Sequence, residues 1–507
     1  MTDPRPATTL DHWRHRAALL TDSGPDSGLM IGGAPRAARS GAAFPSVSPR
    51  DGAEIARVAA AQPEDVEDAV RAARAAFDSG IWSRADPRHR QEVLHRLADL
   101  VEAHLDELAL LESLDTGKPI ADTVAVDVPS LARTLRWYAE AVDKVSGEVA
   151  PGPDSALVTV TREPLGVVGA VVPWNYPLII SGWKIAPALA VGNSVLLKPA
   201  EQSSLSAIRL AGLAAEAGIP PGVLAVLPGP GEVTGRALGL HGDVDKIAFT
   251  GSVPVGRMFQ CYAGQSNGKQ VALELGGKSP QLVLSDAADL DAVAESVAWG
   301  IFYNAGQTCH AGSRLVVHES LHDALVERVA AVAAAMAVGD PLDPATRIGP
   351  IVDERQYGAV LAHLDHAADT GVAAALGGAG AAAAAPGLCV PPTILTRVDP
   401  ASHLGQEEVF GPVLTTHTFT TAEEGVRIAN GTRFGLAAAV WTRDLATAHR
   451  VARRLRAGTV WVNTYDAADL ITPFGGVKES GAGRDRSLGA LESYTAAKTT
   501  WIDLGKE

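Results

Sequence analysis

Cysteine is scarce: the 507 residues contain three, Cys261, Cys309 and Cys389, an odd number with no Cys-x-x-Cys pair. That excludes a disulfide scaffold and a zinc ribbon, which need paired or clustered thiols. Cys261 and Cys389 have no polar or glycine-rich company and read as structural. A lone His-x-x-His, His363 and His366, reads as a solvated helix face, and no metal is assigned. No apolar run approaches the ~18 residues that cross a bilayer. The first sixteen residues are polar and lack the apolar centre of a secretion signal, so a cytoplasmic protein with no membrane partner is expected. Positive charge is also in deficit, 43 Lys and Arg against 58 Asp and Glu, for a net charge of -15. Nucleic-acid binding, which draws on phosphate neutralisation by basic side chains, is thereby disfavoured.

What is present is a globular composition, 47% hydrophobic and 20% charged. At roughly 150 residues per domain the length suggests about three domains or subdomains. Val66, Ala69, Val70, Ala73 and Phe77 recur at helical spacing after Pro63, which suits a helix start. A second stripe, Leu94, Leu97, Val101, Leu105 and Leu108, predicts one longer helix ending before Asp115. From residue 165 the pattern becomes short Val-rich runs, at 167–172, 194–197, 223–227, 246–250 and 271–275, alternating with amphipathic stretches. Such repeats predict an α/β domain with a parallel sheet covered on both faces. A second α/β series follows Gly276, with strands expected at 281–284 and 314–317 and a helix over 321–337. The Ala/Gly-rich tract 372–386 predicts a surface helix end, loop and turn.

Three segments carry chemistry. Cys309 lies in Gly306-Gln-Thr-Cys-His-Ala-Gly-Ser-Arg314, a polar, glycine-bearing approach where backbone amides can favour a thiolate and bind an oxyanion. Glu274 lies in ELGGKSP and Asn175 in VVPWNYPL. A thiol, a carboxylate and a carboxamide are the groups needed to attack a carbonyl, activate a water and hold an oxyanion. Each also has an ordinary reading: a buried thiol, a solvated carboxylate, a turn asparagine. For a cofactor, Gly229-Pro-Gly-Glu-Val-Thr-Gly235 has one residue too many for G-x-G-x-x-G. The better signal is Phe249-Thr-Gly-Ser-Val-Pro-Val-Gly256, which predicts strand, turn and helix, with Gly251 and Ser252 at a helix N-terminus where pyrophosphate can sit. The Trp174 indole could add a further donor to phosphate.

In order and local wording these segments resemble the NAD(P)-dependent aldehyde dehydrogenase superfamily. The resemblance implies a fold with a Rossmann-like cofactor domain (1–144 and 165–276), an α/β catalytic domain (277–490) and a small β oligomerisation arm (145–164 and 491–507), assembled as a homodimer or homotetramer. It implies NAD as cofactor, with NADP possible. Lys198 and Glu201 would contact the adenine ribose, and Glu408 and Phe410 the nicotinamide side. An acidic Glu201 opposes a 2′-phosphate by roughly 4 kcal/mol at 4 Å and an effective dielectric near 20, although Lys198 blunts this. Lys184 and Asp485 would serve the hydrogen-bond and proton path, a surface salt bridge being the alternative. Tyr176, Trp183, Tyr303, Tyr465 and Phe474 would wall an aldehyde tunnel, with Asp466 and Asp469 at its mouth able to attract an ammonium group or merely to face water. Departures are Tyr176 where Phe is frequent, Ala305 where Gln is frequent, and Asp485 where Glu is frequent. LDTGKPIADT, GIFYNAGQTC and the ending GRDRSLGALESYTAAKTTWI look like bacterial γ-glutamyl-γ-aminobutyraldehyde dehydrogenases, which implies a small-molecule, amino-bearing aldehyde of polyamine breakdown as substrate. A broad aliphatic or betaine aldehyde dehydrogenase, and a non-catalytic structural protein of the same fold, are the alternatives.

Overall fold

Apolar runs of about five residues are too short to be stable helices and bury both faces when they pair side by side. A computed structural model describes residues 9–505, so residues 1–8 and 506–507 of the expected 1–144 and 491–507 segments lie outside it. Five runs, Val167–Val171, Ser194–Lys198, Leu224–Val226, Lys246–Thr250 and Gln270–Glu274, form the parallel centre of an eight-stranded sheet. The first lies in the middle, the second and third to one side, the fourth and fifth to the other. The winding therefore reverses between Val167–Val171 and Lys246–Thr250, and open α/β sheets bind ligands outside the strand carboxyl ends at such a reversal. Antiparallel Gly481–Ala482 adds to the edge beside Gln270–Glu274, although it belongs to the span expected for the second domain.

Pro63–Ser79 is helical, with Pro63 in the first turn, Gln62 and Asp65 closing a capping box, and Gly80 left-handed at φ 80° ending it. The leucine stripe predicted as one helix forms two, Pro87–Ala103 and Leu105–Thr116, because His104 leaves the helical region at φ -103°, ψ 25°. The second runs through Asp115 to Thr116 and stops at left-handed Gly117, two residues later than expected. Leu94, Leu97 and Leu108 are fully buried in the main core, each contributing about 2 kcal/mol by burial.

A second sheet of seven strands includes Pro280–Val283 and Arg314–His318, within a residue of expectation, with a helix at His322–Ala334. The alanine-rich tract holds a strand that was not expected, Ala374–Leu376, pairing antiparallel with Thr393–Leu395 at the sheet edge. An exposed edge demands little of side chains, so its alanines gave no strand signal. Ala156–Pro164 and Thr495–Asp503 pair over nine registers in a separate three-stranded sheet. Gly489–Ser493 is helical, so the extended C-terminal piece begins at Thr495 rather than 491. No helix among the described residues is long and apolar enough to cross a membrane.

Candidate active site

Three of the predicted groups leave the first sheet at neighbouring points. Asn175 follows Val167–Val171, Ser252 follows Lys246–Thr250, and Glu274 is the last residue of Gln270–Glu274, in register with Thr250. One crevice thus receives an amide, a helix N-terminus and a carboxylate. Cys309 arrives from the second sheet's side. Beyond helix Leu290–Phe302 the chain passes through three left-handed residues, Asn304, Ala305 and Gly306 at φ 51°, 53° and 70°. A Cβ on Gly306 would sit 2.1 Å from the Gly411 carbonyl, so only glycine fits there. This strained turn lays Gln307-Thr308-Cys309 across the crevice. Asn175 Nδ2 donates to the Gln307 carbonyl at 2.8 Å, and the Tyr176 hydroxyl meets Thr308 Oγ1 at 2.8 Å. The second Nδ2 proton and the Cys309 N-H, which has no hydrogen-bond partner among the described residues, are left to serve an oxyanion.

Glu274 is buried, and neither carboxylate oxygen has a hydrogen-bond partner. Burial above all, then the charge of Asp485 and that of Cys309, pushes its pKa well above the usual carboxylate range, against Lys184 and Arg484. Gly475 makes room for it: a Cβ there would lie 2.4 Å from Glu274 Oε1. Lys184 Nζ and Asp485 Oδ2 are 2.6 Å apart, with 1% and 7% of their side chains exposed, so the surface-bridge alternative is wrong for this pair. Lys184→Met would leave Asp485 buried without its cation. The expected cost is about 3 kcal/mol, seen as a lower thermal midpoint, and an unchanged midpoint would contradict the pairing.

For a dinucleotide, Ser252 caps the 13-residue helix Val253–Gln265 with extended backbone and makes no side-chain cap bond, and the Thr250 hydroxyl is buried without a partner. These are free donors at a positive helix end and fit a pyrophosphate. The Gly251 N-H donates to the Glu274 carbonyl at 3.0 Å, tying the phosphate turn to the residue expected to be the base. Lys198 Nζ lies 3.5 Å from Glu201, whose other oxygen accepts from the Gly231 N-H. Glu201 thereby bridges Lys198 and the glycine loop 229–235. Glu408 accepts from the Gly277 N-H at 2.9 Å, and lost hydration pushes its carboxyl up to about 7. Trp174 and left-handed Phe410 meet edge to face at 5.3 Å.

Cys309 is half-buried at a cavity lined by Tyr176, Trp183, Tyr303, Phe474 and Asp469. Tyr465 is not part of this wall: it packs against Trp461, and its hydroxyl donates to the His310 carbonyl. Its neighbour Asp466 lines the cavity but is paired with His310 at 2.8 Å, which leaves Asp469 as the exposed carboxylate. Sequence reading missed His310, and also Arg133 and Arg486 in the same wall. Nor did it see Lys118, fully buried with Asp127 at 2.5 Å and 3.8 Å from the Tyr176 ring centre. The only sequence signal for His310 was its place beside Cys309.

Away from the cavity, Cys261 is exposed rather than structural, and Cys389 is buried. His363 is not simply solvated. It stacks on His403 at 5.0 Å, and burial lowers its pKa to about 4. No metal-binding cluster of three or more ligands occurs among the described residues.

The crevice at the strand reversal and the thiol facing it define a two-sheet enzyme fold built for covalent catalysis beside a dinucleotide. Residues 36–500 match the aldehyde dehydrogenase family, and the chain belongs to it. It is similar to the NADP/NAD-dependent aldehyde dehydrogenase PuuC of Escherichia coli, 48% identical over 98% of this chain and 99% of that one. Similarity to the aminoacetaldehyde dehydrogenase of Pseudomonas aeruginosa is also 48%, over 94% and 95%. The crystal structure of γ-glutamyl-γ-aminobutyraldehyde dehydrogenase from Burkholderia cenocepacia superposes with a TM-score of 0.94, 53% identity and coverage of 98% and 100%. Indole-3-acetaldehyde dehydrogenase AldA of P. syringae, in complex with NAD+ and IAA, gives 0.95 at 49% identity, covering 98% and 100%.

Proposed function

We propose that the enzyme oxidises an amino-bearing aldehyde to its carboxylic acid with NAD, through a thiohemiacetal and a thioester on Cys309. The observation that carries this is a half-buried thiol at the cavity, beside a buried carboxylate with no hydrogen-bond partner, at the crevice where the sheet reverses. Cys309 adds to the carbonyl carbon, and Asn175 Nδ2 and the Cys309 N-H receive the oxygen's negative charge, each worth about 3 kcal/mol in such roles. Ser252 and the helix start hold pyrophosphate, Lys198 and Glu201 the adenine ribose, and Glu408 and Phe410 the nicotinamide side. Bound there, the oxidised nicotinamide supplies a hydride acceptor. Glu274 then removes a proton from the water that cleaves the thioester. Glu201 favours NAD, while the dual name of the E. coli relative is consistent with NADP as a second cofactor.

The amino-bearing substrate draws support from the names of the P. aeruginosa and B. cenocepacia proteins and from exposed Asp469 on the cavity. The expected outcome of a kinetic panel is a higher kcat/KM for 4-aminobutanal than for acetaldehyde, with Asp469→Ala losing about fivefold on the amine only. Equal efficiency on both, with no loss in the variant, would transfer the assignment to a broad aliphatic enzyme. Nothing in the relatives supports a non-catalytic role. A cytoplasmic homodimer or homotetramer without nucleic-acid or membrane partners completes the proposal. Its arm is the sheet bearing Trp501, 62% exposed, with Ile502 and Val149 also exposed. Light scattering that returned a monomer mass would remove the oligomer.

A further inference from the structure

His310 touches both the sulfur and a carboxylate. Its Nδ1 lies 3.6 Å from Cys309 Sγ, and its Nε2 lies 2.8 Å from Asp466 Oδ1. One ring therefore bridges the reacting thiol to an anion 156 residues away in sequence. With Asp466 accepting the Nε2 proton, Nδ1 is the nitrogen presented to sulfur. We propose that His310, oriented by Asp466, takes the Cys309 proton and holds the sulfur as a thiolate beside an imidazolium before any aldehyde arrives. This rests on Cys309 being the nucleophile. The proton passes from Sγ to Nδ1 and stays there. When sulfur attacks, its electron pair forms the S–C bond and the negative charge moves to the carbonyl oxygen, so no further reagent is required.

The ring is fixed from several sides. Adjacent residues of one loop clamp His310: the Tyr465 hydroxyl donates to its carbonyl and Asp466, left-handed at φ 59°, takes its ring. Phe474 meets the ring edge to face at 5.6 Å, and Trp461 lies at 6.2 Å. The charged and titratable groups around the pair are Asp466, Glu274, Tyr176, Tyr465 and Arg486. Burial by itself lowers the imidazole pKa, but the charge and hydrogen bond of Asp466, then Cys309, outweigh it and carry the value up to about 10. The sign is that of a raised histidine: the cation persists through neutrality and is lost only in alkali. Glu274 is not placed to take the first proton, because neither of its carboxylate oxygens has a hydrogen-bond partner among the described residues, whereas His310 Nδ1 meets the sulfur.

The test is alkylation of the full-length enzyme by iodoacetamide, followed on the Cys309 peptide by mass spectrometry so that exposed Cys261 does not interfere. The expected result is that His310→Gln slows labelling about tenfold or more at about pH 6, yet hardly at about pH 9.5, where a thiol ionises unaided. Asp466→Asn is expected to shift labelling in the same direction and decides the matter alone if His310→Gln does not fold. Wild-type labelling rates at the lower pH in both folded variants would overturn the ion pair. Labelling of Cys309 that left NADH formation intact would instead overturn the nucleophile assignment beneath it.

Discussion

Cys309→Ser is expected to lower aldehyde-dependent NADH formation by about ten-thousandfold while dinucleotide binding persists. Serine fills the same space, so the strained turn 304–306 and the bonds of Asn175 and Tyr176 to Gln307 and Thr308 have no reason to move. What is lost is the nucleophile, since a hydroxyl ionises far less readily than a thiol near neutrality. Cofactor titration by fluorescence, run beside the kinetics, separates the two effects. Retention of more than about a tenth of the activity would mean that the reaction does not pass through this sulfur.

Glu274→Gln is expected to separate the two halves of the cycle. The first turnover, which needs the thiol and the oxyanion donors, should still release a burst of NADH close to one per site. Steady-state turnover should fall by about a thousandfold, because the water loses its base. The pH dependence follows from the raised carboxyl. Glu274 acts as a base in its ionised form, and burial with the Asp485 charge raises its pKa, so thioester hydrolysis should rise with pH through that elevated titration. In the glutamine variant that rise should flatten. A variant with no burst and a parallel pH profile would assign Glu274 to the first half-reaction instead.

The first sheet was legible because its strands are short valine runs buried on both faces, and the residues before Cys309 were legible as a glycine-bearing turn. The order of strands fixed where Asn175, Ser252 and Glu274 would meet. What stayed hidden lies between residues far apart in the chain: His310 with Asp466, Lys118 behind Tyr176, and the burial of the Lys184–Asp485 pair. Spacing along a sequence does not encode such pairs. Tyr465 was misjudged for a related reason: it lies beside the site in sequence, but it is absent from the cavity wall and its hydroxyl is taken by the His310 carbonyl. The break at His104 and the edge strand Ala374–Leu376 are decisions of packing that residue periodicity does not carry.

The central claim is an acyl group carried on one sulfur. Glu274→Gln mixed with NAD and an aldehyde, quenched after the burst and measured as an intact mass with peptide mapping, is expected to carry one acyl adduct on Cys309 for each NADH released. NADH formed without any adduct, or an adduct on another residue, would contradict it.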